Sequence, residues 1–575
     1  MPLFLSDYSK SACLFEELAL RFFAVRNEYC FYALWRMIAA RGCFFMATIS
    51  LDNVHFMYEG FYEPIFTGIS CDIDSSWKLG LVGRNGMGKT TLLHLMLGAY
   101  AYEGSIRSPM MFDYFPFSYD EDHTALQVCR ETIAPFAQME AEMLYCEERM
   151  ASDEVALERY GIVQEEYLHH DGYSIDQLIE AEVGRLGVRA DALERPMGSL
   201  SGGERTKLML AALFLKKDYF LLIDEPTDHL DLAGRRQLAA YLQQKKGFII
   251  VSHDRRFLDD VVDHIMVLEK ERTIIRQGSF SSYVEDKQRE DQQELERNER
   301  LEQQIDVLER SARQKASWSS RLEATKFGSG PVDRGYIGTK AARMMQLAKN
   351  VERRQERAVE EKRSLLRHID YAPDLRITTL PYLRRPLVEA RDLTLSYGEE
   401  PLFAPLTFAL REGDRIALAG VNGTGKSTLL SAIMGQMKPL QGSLAVGSSV
   451  KISHVAQETA DLAGDLSAYA LRNGLDEALF KAILRKLDFL RIDFEKDMRQ
   501  YSSGEKKKVL LAASLADPSH LYLWDEPLNF VDYYSREQIL RLLLTYQPTM
   551  MFIEHDSYFC EAAALSTLEL KPYRA

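Results

Sequence analysis

At 575 residues the chain is longer than a single hydrophobic core usually grows, so two or more domains are expected. Its composition, 46% hydrophobic and 27% charged, is that of a globular protein, no window holds about 18 uninterrupted apolar residues, and seven cysteines without a CxxC pair argue against zinc or iron–sulfur ligation and for reduced thiols. A net charge of −15 excludes a general attraction to nucleic acid, so any RNA contact must come from a local patch.

In chain order, residues 1–45 are rich in Phe, Leu and Cys and lack the basic start of a signal peptide. They read as an extension, with the natural start expected at Met46, just ahead of "ATISLDNVHF", and an extra helix beginning at Met1 as the alternative. A first domain is expected over 46–283. It opens on the alternating, strand-like "ISLDNVHFMY" and continues to "GRNGMGKT" at 83–90, a glycine turn entering a helix. Residues 118–185 carry a helical pattern, and the acidic stretch Glu140 to Glu166 reads as a solvated or protein-facing surface. "LSGGE" follows at 200–204, then "FLLIDEPTDHLD" at 220–231 and "SHD" at 252–254.

Between Ser279 and Phe327, and again between Thr339 and Ala372, the chain has neither glycine nor proline. These stretches predict two long helices, roughly 284–326 and 339–368, forming a hairpin linker over 284–370 with its tip near 326–340. Leu301, Ile305, Leu308 and Ala312 on one helix, and Ala341, Met344, Met345 and Ala348 on the other, give the hairpin an apolar seam. Residues 285–309 carry ten acids and four bases, whereas 310–357 carry twelve bases and four acids. A basic tip with Trp318, Phe327 and Tyr336 suits RNA, cations facing phosphates and planar rings facing unpaired bases.

A second domain, expected over 371–575, repeats the first. It opens on "LVEARDLTLSY" and carries "GVNGTGKS" at 420–427, "YSSGE" at 501–505, "LYLWDEPLNFVD" at 521–532 and "EHD" at 554–556. Ser201 to Glu225 spans 24 positions, as does Ser502 to Glu526. Lys89 to Ser201 spans 112 against 76 from Lys426 to Ser502, so the first copy holds about 36 extra residues within 118–185. Strand, glycine loop and helix in both copies predict an α/β fold with a largely parallel core sheet.

The repeated pattern is phosphate chemistry. Glycines let the backbone approach an anion, and the following helix N-terminus favours negative charge. In the first copy Gly83, Asn85, Gly86 and Gly88 form the cradle, Lys89 reaches the β- and γ-phosphates, and Thr90, beside Thr91, helps hold Mg²⁺. Gly420, Asn422, Gly423, Gly425, Lys426, Ser427 and Thr428 repeat those roles. Each apolar strand delivers two carboxylates: Asp224 and Asp525 for the metal shell, Glu225 and Glu526 as general bases toward the attacking water.

Residues 48–280 and 388–572 resemble the ATP-binding cassette superfamily. That resemblance implies two tandem cassettes in a head-to-tail sandwich. Site one would join Lys89, Thr90, Asp224, Glu225 and His253 to Ser502, Gly504 and Glu505; site two would join Lys426, Ser427, Asp525, Glu526 and His555 to Ser201, Gly202 and Gly203. The resemblance further implies that His253 and His555 contact the γ-phosphate, that Tyr58 and Tyr397 stack on adenine, and that Gln457 belongs to the metal shell. Two positions depart from the pattern: Phe117 stands where glutamine is expected and cannot ligate a metal or orient water, and Ser503 replaces a signature glycine. Both fall on site one, which is expected to hydrolyse more slowly.

Tandem cassettes and a linker of about 85 residues resemble the ABC-F proteins. "WKLGLVGRNGMGKTTLL", "VDRGYIGTKAARMM" and "LWDEPLNFVD" resemble their Lsa-type antibiotic-resistance members. This implies a cytoplasmic, monomeric ATPase with no membrane permease, binding the bacterial ribosome at the exit site. Its partners would be rRNA and the P-site tRNA, met through Lys326, Phe327, Arg334, Tyr336 and Lys340. Shifting that tRNA would dislodge lincosamides, pleuromutilins and streptogramin A compounds. A housekeeping translation factor of the same family and the fused ATPase subunit of an importer are the alternatives; the long basic-tipped hairpin counts against the importer.

Overall fold

The computed structural model describes residues 48–573 apart from 59–63, 150, 152, 229, 270–272, 325–352, 354–374, 383–385, 399, 460–461 and 490. The 1–45 extension, the second linker helix and the tip residues Lys326, Phe327, Arg334, Tyr336 and Lys340 lie outside the described residues.

Each repeat builds a small antiparallel sheet beside a larger parallel one. In the first, β1 (Thr48–Phe56), β2 (Phe66–Asp74), β3 (Lys78–Val82), α1 (Lys89–Met96), β4 (Glu103–Arg107) and β5 (Met111–Phe115) precede a helical insert. That insert comprises α2 (Ala125–Ile133), α3 (Phe136–Glu147), α4 (Glu154–His169) and α5 (Ile175–Arg185). Then come α6 (Gly202–Leu215), β6 (Tyr219–Asp224), α7 (Leu232–Gln243), β7 (Phe248–Val251), α8 (Arg255–Val261), β8 (His264–Leu268), β9 (Thr273–Gln277) and the linker helix α9 (Phe280–Ala324). The sheets run β2-β1-β4 and β5-β6-β7-β3-β8-β9, the latter parallel except at β9.

The second repeat contains β10 (Val388–Thr394), β11 (Leu406–Leu410), β12 (Arg415–Ala419), α10 (Lys426–Ile433), β13 (Gln441–Val446), β14 (Ile452–Val455), α11 (Leu466–Arg472) and α12 (Glu477–Lys486). It ends with α13 (Ser503–Ala516), β15 (Leu521–Asp525), α14 (Tyr533–Tyr546), β16 (Met550–Ile553), α15 (Ser557–Ala563) and β17 (Ser566–Glu569). Its sheets run β11-β10-β13 and β14-β15-β16-β12-β17.

The strands ending in Asp-Glu are buried on both faces, which is why their sequences are unbroken apolar runs. Alternate residues of β6 and β7 serve two cores. Leu222, Ile249 and Val251 pack with α1 residues Leu92 and Leu93, while Leu221, Ile223 and Ile250 pack with Leu208, Leu210 and Leu238 of α6 and α7. In the second repeat Leu523 and Ile553 face Leu429 and Leu430 of α10, while Trp524 and Phe552 face Leu511 and Ile539.

The extra residues of the first repeat are the α3–α4 pair, for α2 and α5 have their counterparts in α11 and α12. Arg159 Nε donates to Glu142 Oε1 across the pair at 2.5 Å, and Tyr167 OH donates to Glu140 Oε1 at 2.8 Å. Glu182 on α5 pins the insert to the sheet domain: it accepts from Tyr241 OH at 2.6 Å and from Lys245 Nζ at 2.8 Å, and it is 7% exposed.

Helix α9 is 45 residues long, about 65 Å at ~1.5 Å per residue. It starts before position 284 because its first turn is anchored: Ser281 N–H donates to Asp259 Oδ1 at 2.7 Å, and Phe280, 2% exposed, sets its ring against Tyr533 of α14 at 4.9 Å. The linker therefore springs from the junction of the two repeats.

Replacing Glu182 by Ala strands the buried Tyr241 OH and the half-buried Lys245 ammonium. The expected loss is about 1–3 kcal/mol, read as a lower unfolding midpoint of the first repeat. An unchanged midpoint would show that the insert is held by its apolar contacts alone.

Candidate nucleotide sites

Both glycine loops adopt the same conformation. Gly86 and Gly88 lie at φ 79° and 85°, and Gly423 and Gly425 at 83° and 86°, a region glycine enters without penalty. A Cβ on Gly88 would come within 2.6 Å of Ile65, whereas Gly86 and Gly423 face open space, where an anion can approach the backbone. Lys89 Nζ donates to the Gly83 carbonyl at 2.8 Å and the Arg84 carbonyl at 3.3 Å, wrapping the loop round its ammonium. Lys426 Nζ repeats this on Gly420 at 2.7 Å and Val421 at 3.3 Å. Burial pushes the Lys89 ammonium below its usual value, opposed by Glu225, Asp532 and Asp224.

Thr90 Oγ1 donates to Asp224 Oδ2 at 2.6 Å, and Tyr114 OH donates to the same oxygen at 3.1 Å. In the second site Ser427 stands beside the Asp525 carboxylate, whose Oδ1 is buried without a hydrogen-bond partner. Paired hydroxyl and carboxylate oxygens beside an unpartnered oxygen fit a hard divalent cation. Among the described residues no group of three His, Cys, Asp or Glu side chains could hold a metal alone.

Glu225 and Glu526 sit at φ 46° and 47°, left-handed backbone that costs a side-chain-bearing residue of order 1–3 kcal/mol. Their amides are held by the Val251 and Ile553 carbonyls at 2.9 and 3.0 Å. His253 Nε2 lies 3.3 Å from Glu225 Oε1, and His555 Nε2 lies 3.4 Å from Glu526 Oε1. The two carboxylates differ in surroundings. Burial, then Asp228 and Asp224, push Glu225 well above the usual range. Burial also acts on Glu526, but hydrogen bonds from His555 and Gln457 and the charge of Lys507 hold it below that range. Phe117, in place of that glutamine, packs on the first repeat's helical core.

Tyr58 OH lies 3.0 Å from Thr91 Oγ1, and Thr428 Oγ1 donates to Tyr397 OH at 3.2 Å, so both rings stand beside their loops. Tyr397 is 76% exposed. Ser201 and Ser502 cap α6 and α13, each reciprocally bonded to Glu204 or Glu505. Ser503 is exposed.

The repeats meet across these loops. Asn85 Nδ2 donates to the Phe530 carbonyl at 2.9 Å, the Arg84 guanidinium lies 5.1 Å from the Tyr534 ring, and a Cβ on Gly504 would fall 2.5 Å from Phe530 O and 3.1 Å from Asn85 Nδ2. The first loop thus faces the second repeat's "SSGE" segment. On the other side Arg235 Nη1 donates to the His555 carbonyl at 3.4 Å and pairs with Asp254 at 2.8 Å. Arg235, its counterpart Arg536, and Lys508, which pairs with the buried Asp532 at 2.8 Å, escape a motif-based reading. Their one sequence signal is that Arg235 and Arg536 each stand ten residues after the strand-end glutamate.

A family model described as ABC transporter matches residues 66–228 and 403–529. The chain is 30% identical to the putative ATP-binding protein YdiF of Bacillus subtilis, covering 88% of this chain and 78% of that one. It is 28% identical to the ribosome protection protein VmlR of the same organism, covering 90% and 86%. With the energy-dependent translational throttle protein EttA of Escherichia coli it shares 29% identity over 88% and 89%. In fold it is similar to the archaeal ribosome recycling factor aABCE1 solved with the stalk protein aP1, at TM-score 0.54 and 18% identity, covering 90% and 87%.

Asn85→Ala removes a side-chain bond between the repeats while leaving each loop's own contacts. ATP-driven closure, followed by scattering or cross-linking, is expected to need several-fold more ATP, on the order of 1 kcal/mol. Closure at unchanged ATP would assign the Asn85–Phe530 contact no share in it.

Proposed function

The chain belongs to the ATP-binding cassette family, as a two-cassette ATPase of its ABC-F branch, and from that premise we propose that it binds the bacterial ribosome at the exit site and uses its linker to displace the P-site tRNA. Bound antibiotic then leaves the peptidyl-transferase region, the class being lincosamides, pleuromutilins and streptogramin A compounds. One observation carries the reading: a 45-residue helix rooted at the cassette junction, Phe280 against Tyr533, next to the interface residue Asp532. Similarity to a protein named for ribosome protection supports the resistance role. No helix among the described residues is long and apolar enough to cross a membrane. A cytoplasmic monomer with both sites at its internal interface is the form proposed.

At site one Lys89 and the loop amides bind the phosphates, Glu225 takes the proton of the attacking water, His253 steadies Glu225 and the γ-phosphate, and Ser502 and Gly504 close from across the interface. At site two Lys426, Glu526, His555, Ser201, Gly202 and Gly203 do the same. Thr90 with Asp224, and Ser427 with Asp525 and Gln457, would hold Mg²⁺, which when bound neutralises phosphate charge. Because Gln457 positions Glu526 and Phe117 offers Glu225 nothing, site two is the faster site.

A second reading, a housekeeping factor without a resistance role, is favoured by a translational throttle relative of near-equal identity. Drug susceptibility of a bacterial host expressing the protein separates the two: a raised inhibitory concentration supports resistance, and no change supports housekeeping.

Glu526→Gln alone is expected to lower steady-state turnover by on the order of 100-fold at its site, and Glu225→Gln to lower the total only slightly. Equal losses would overturn the asymmetry. The double variant should sediment with ribosomes in ATP and release as salt rises. No association in any nucleotide state would overturn the ribosomal reading.

A further inference from the structure

Lys507 is 1% exposed, an unusual place for an ammonium. It lies on α13, one turn beyond Gly504, and donates three hydrogen bonds to backbone carbonyls: Ala456 at 2.8 Å, Gln457 at 3.3 Å and Asp525 at 3.1 Å. Those carbonyls belong to the two segments that carry the second site's chemistry. Gln457 stands close enough to Glu526 to help hold its carboxyl down, and Asp525 precedes Glu526 in the chain. The start of the same helix faces the other site, where Gly504 approaches Asn85 of the first loop. One helix therefore touches site one at its N-terminus and grips site two one turn later.

Among the described residues the first cassette has no equivalent. The position matching Lys507 is Thr206, whose side chain ends at its γ atoms, too short to span to such carbonyls. A second exchange accompanies it: Glu554 stands where the first cassette has Ser252, accepting from Leu528 N–H at 2.7 Å and from His555 N–H at 3.0 Å. The second cassette thus carries a buried cation and a buried anion where the first carries two hydroxyls.

We propose that Lys507 is a positioning residue that makes turnover at site two depend on nucleotide at site one, with no matching signal in the opposite direction. The inference rests on the two-site ATPase reading above. A buried ammonium resists losing its acceptors, because each unmade bond leaves charge unsolvated. When nucleotide at site one draws in the start of α13, Lys507 carries the Gln457 and Asp525 carbonyls with it, and Glu526 follows. Thr206 transmits no such pull.

Site-two turnover is read in two backgrounds at saturating ATP: Glu225→Gln, in which site one fills without turning over, and Lys89→Ala, in which it fills poorly. With Lys507 present the first should exceed the second by about ten-fold, within the range of ordinary coupling. Adding Lys507→Thr should bring the ratio close to one, and a ratio that Lys507→Thr leaves unchanged overturns the proposal. The mirrored comparison, Glu526→Gln against Lys426→Ala read at site one, keeps Lys507 and needs no change in that core. It should give a ratio near one, and equal ratios in the two directions overturn the proposal even if Lys507→Thr fails to fold. Thr206→Lys should raise the mirrored ratio, a gain that destabilisation cannot imitate. If the unsubstituted chain hydrolyses no ATP, the two-site reading itself falls, a result seen before any variant is made.

Discussion

A buried strand that ends in two carboxylates constrains everything around it. Asp525 is 4% exposed, and both glutamates that follow the strands are deeply set, so each charge needs a partner close by. The chain supplies these from three directions. The helix after the glycine loop brings a lysine and a hydroxyl, the neighbouring strand ends in a histidine, and the left-handed turn at Glu225 and Glu526 aims the carboxyl at that histidine rather than along the strand. Parallel strands deliver these groups to one edge because all the parallel strands of the core end there.

One cassette cannot complete the arrangement. The approach of Gly504 to Asn85, and the reach of Arg235 to His555, place groups from both repeats round each site. Two of these ties end on backbone carbonyls, Asn85 on Phe530 and Arg235 on His555. The linker helix is seated on that same interface. Phe280 packs on Tyr533 and Arg84 of the first loop lies over Tyr534, so the root of a helix about 65 Å long sits where the two cassettes meet.

The two halves share a frame and differ in detail. The first holds the acidic α3–α4 pair, Phe117 and Glu225 crowded by Asp224 and Asp228; the second holds Gln457, Lys507 and Glu554 around Glu526. The duplicated frame thus encloses two chemically unequal interiors.

The sequence alone determined the repeat, the glycine loops, the strand-end carboxylates and the helical insert, because each is a local pattern whose period or spacing is set by backbone geometry. It also placed the extra residues of the first cassette within 118–185, and the structure narrows them to α3 and α4. The root of the linker was only partly legible: a helix was expected from about 284, but the fold begins it at Phe280, since Asp259 and Tyr533, remote in sequence, hold its first turn. In the sequence Lys507 is one basic residue among three in "GEKKKVLL" with no motif of its own, and Asn85 is legible only as a member of the phosphate cradle. Tertiary structure alone decided that the first grips three carbonyls around the second site and that the second bonds Phe530. Those contacts join residues up to 445 positions apart, and no local pattern encodes a distance that only packing two domains together creates.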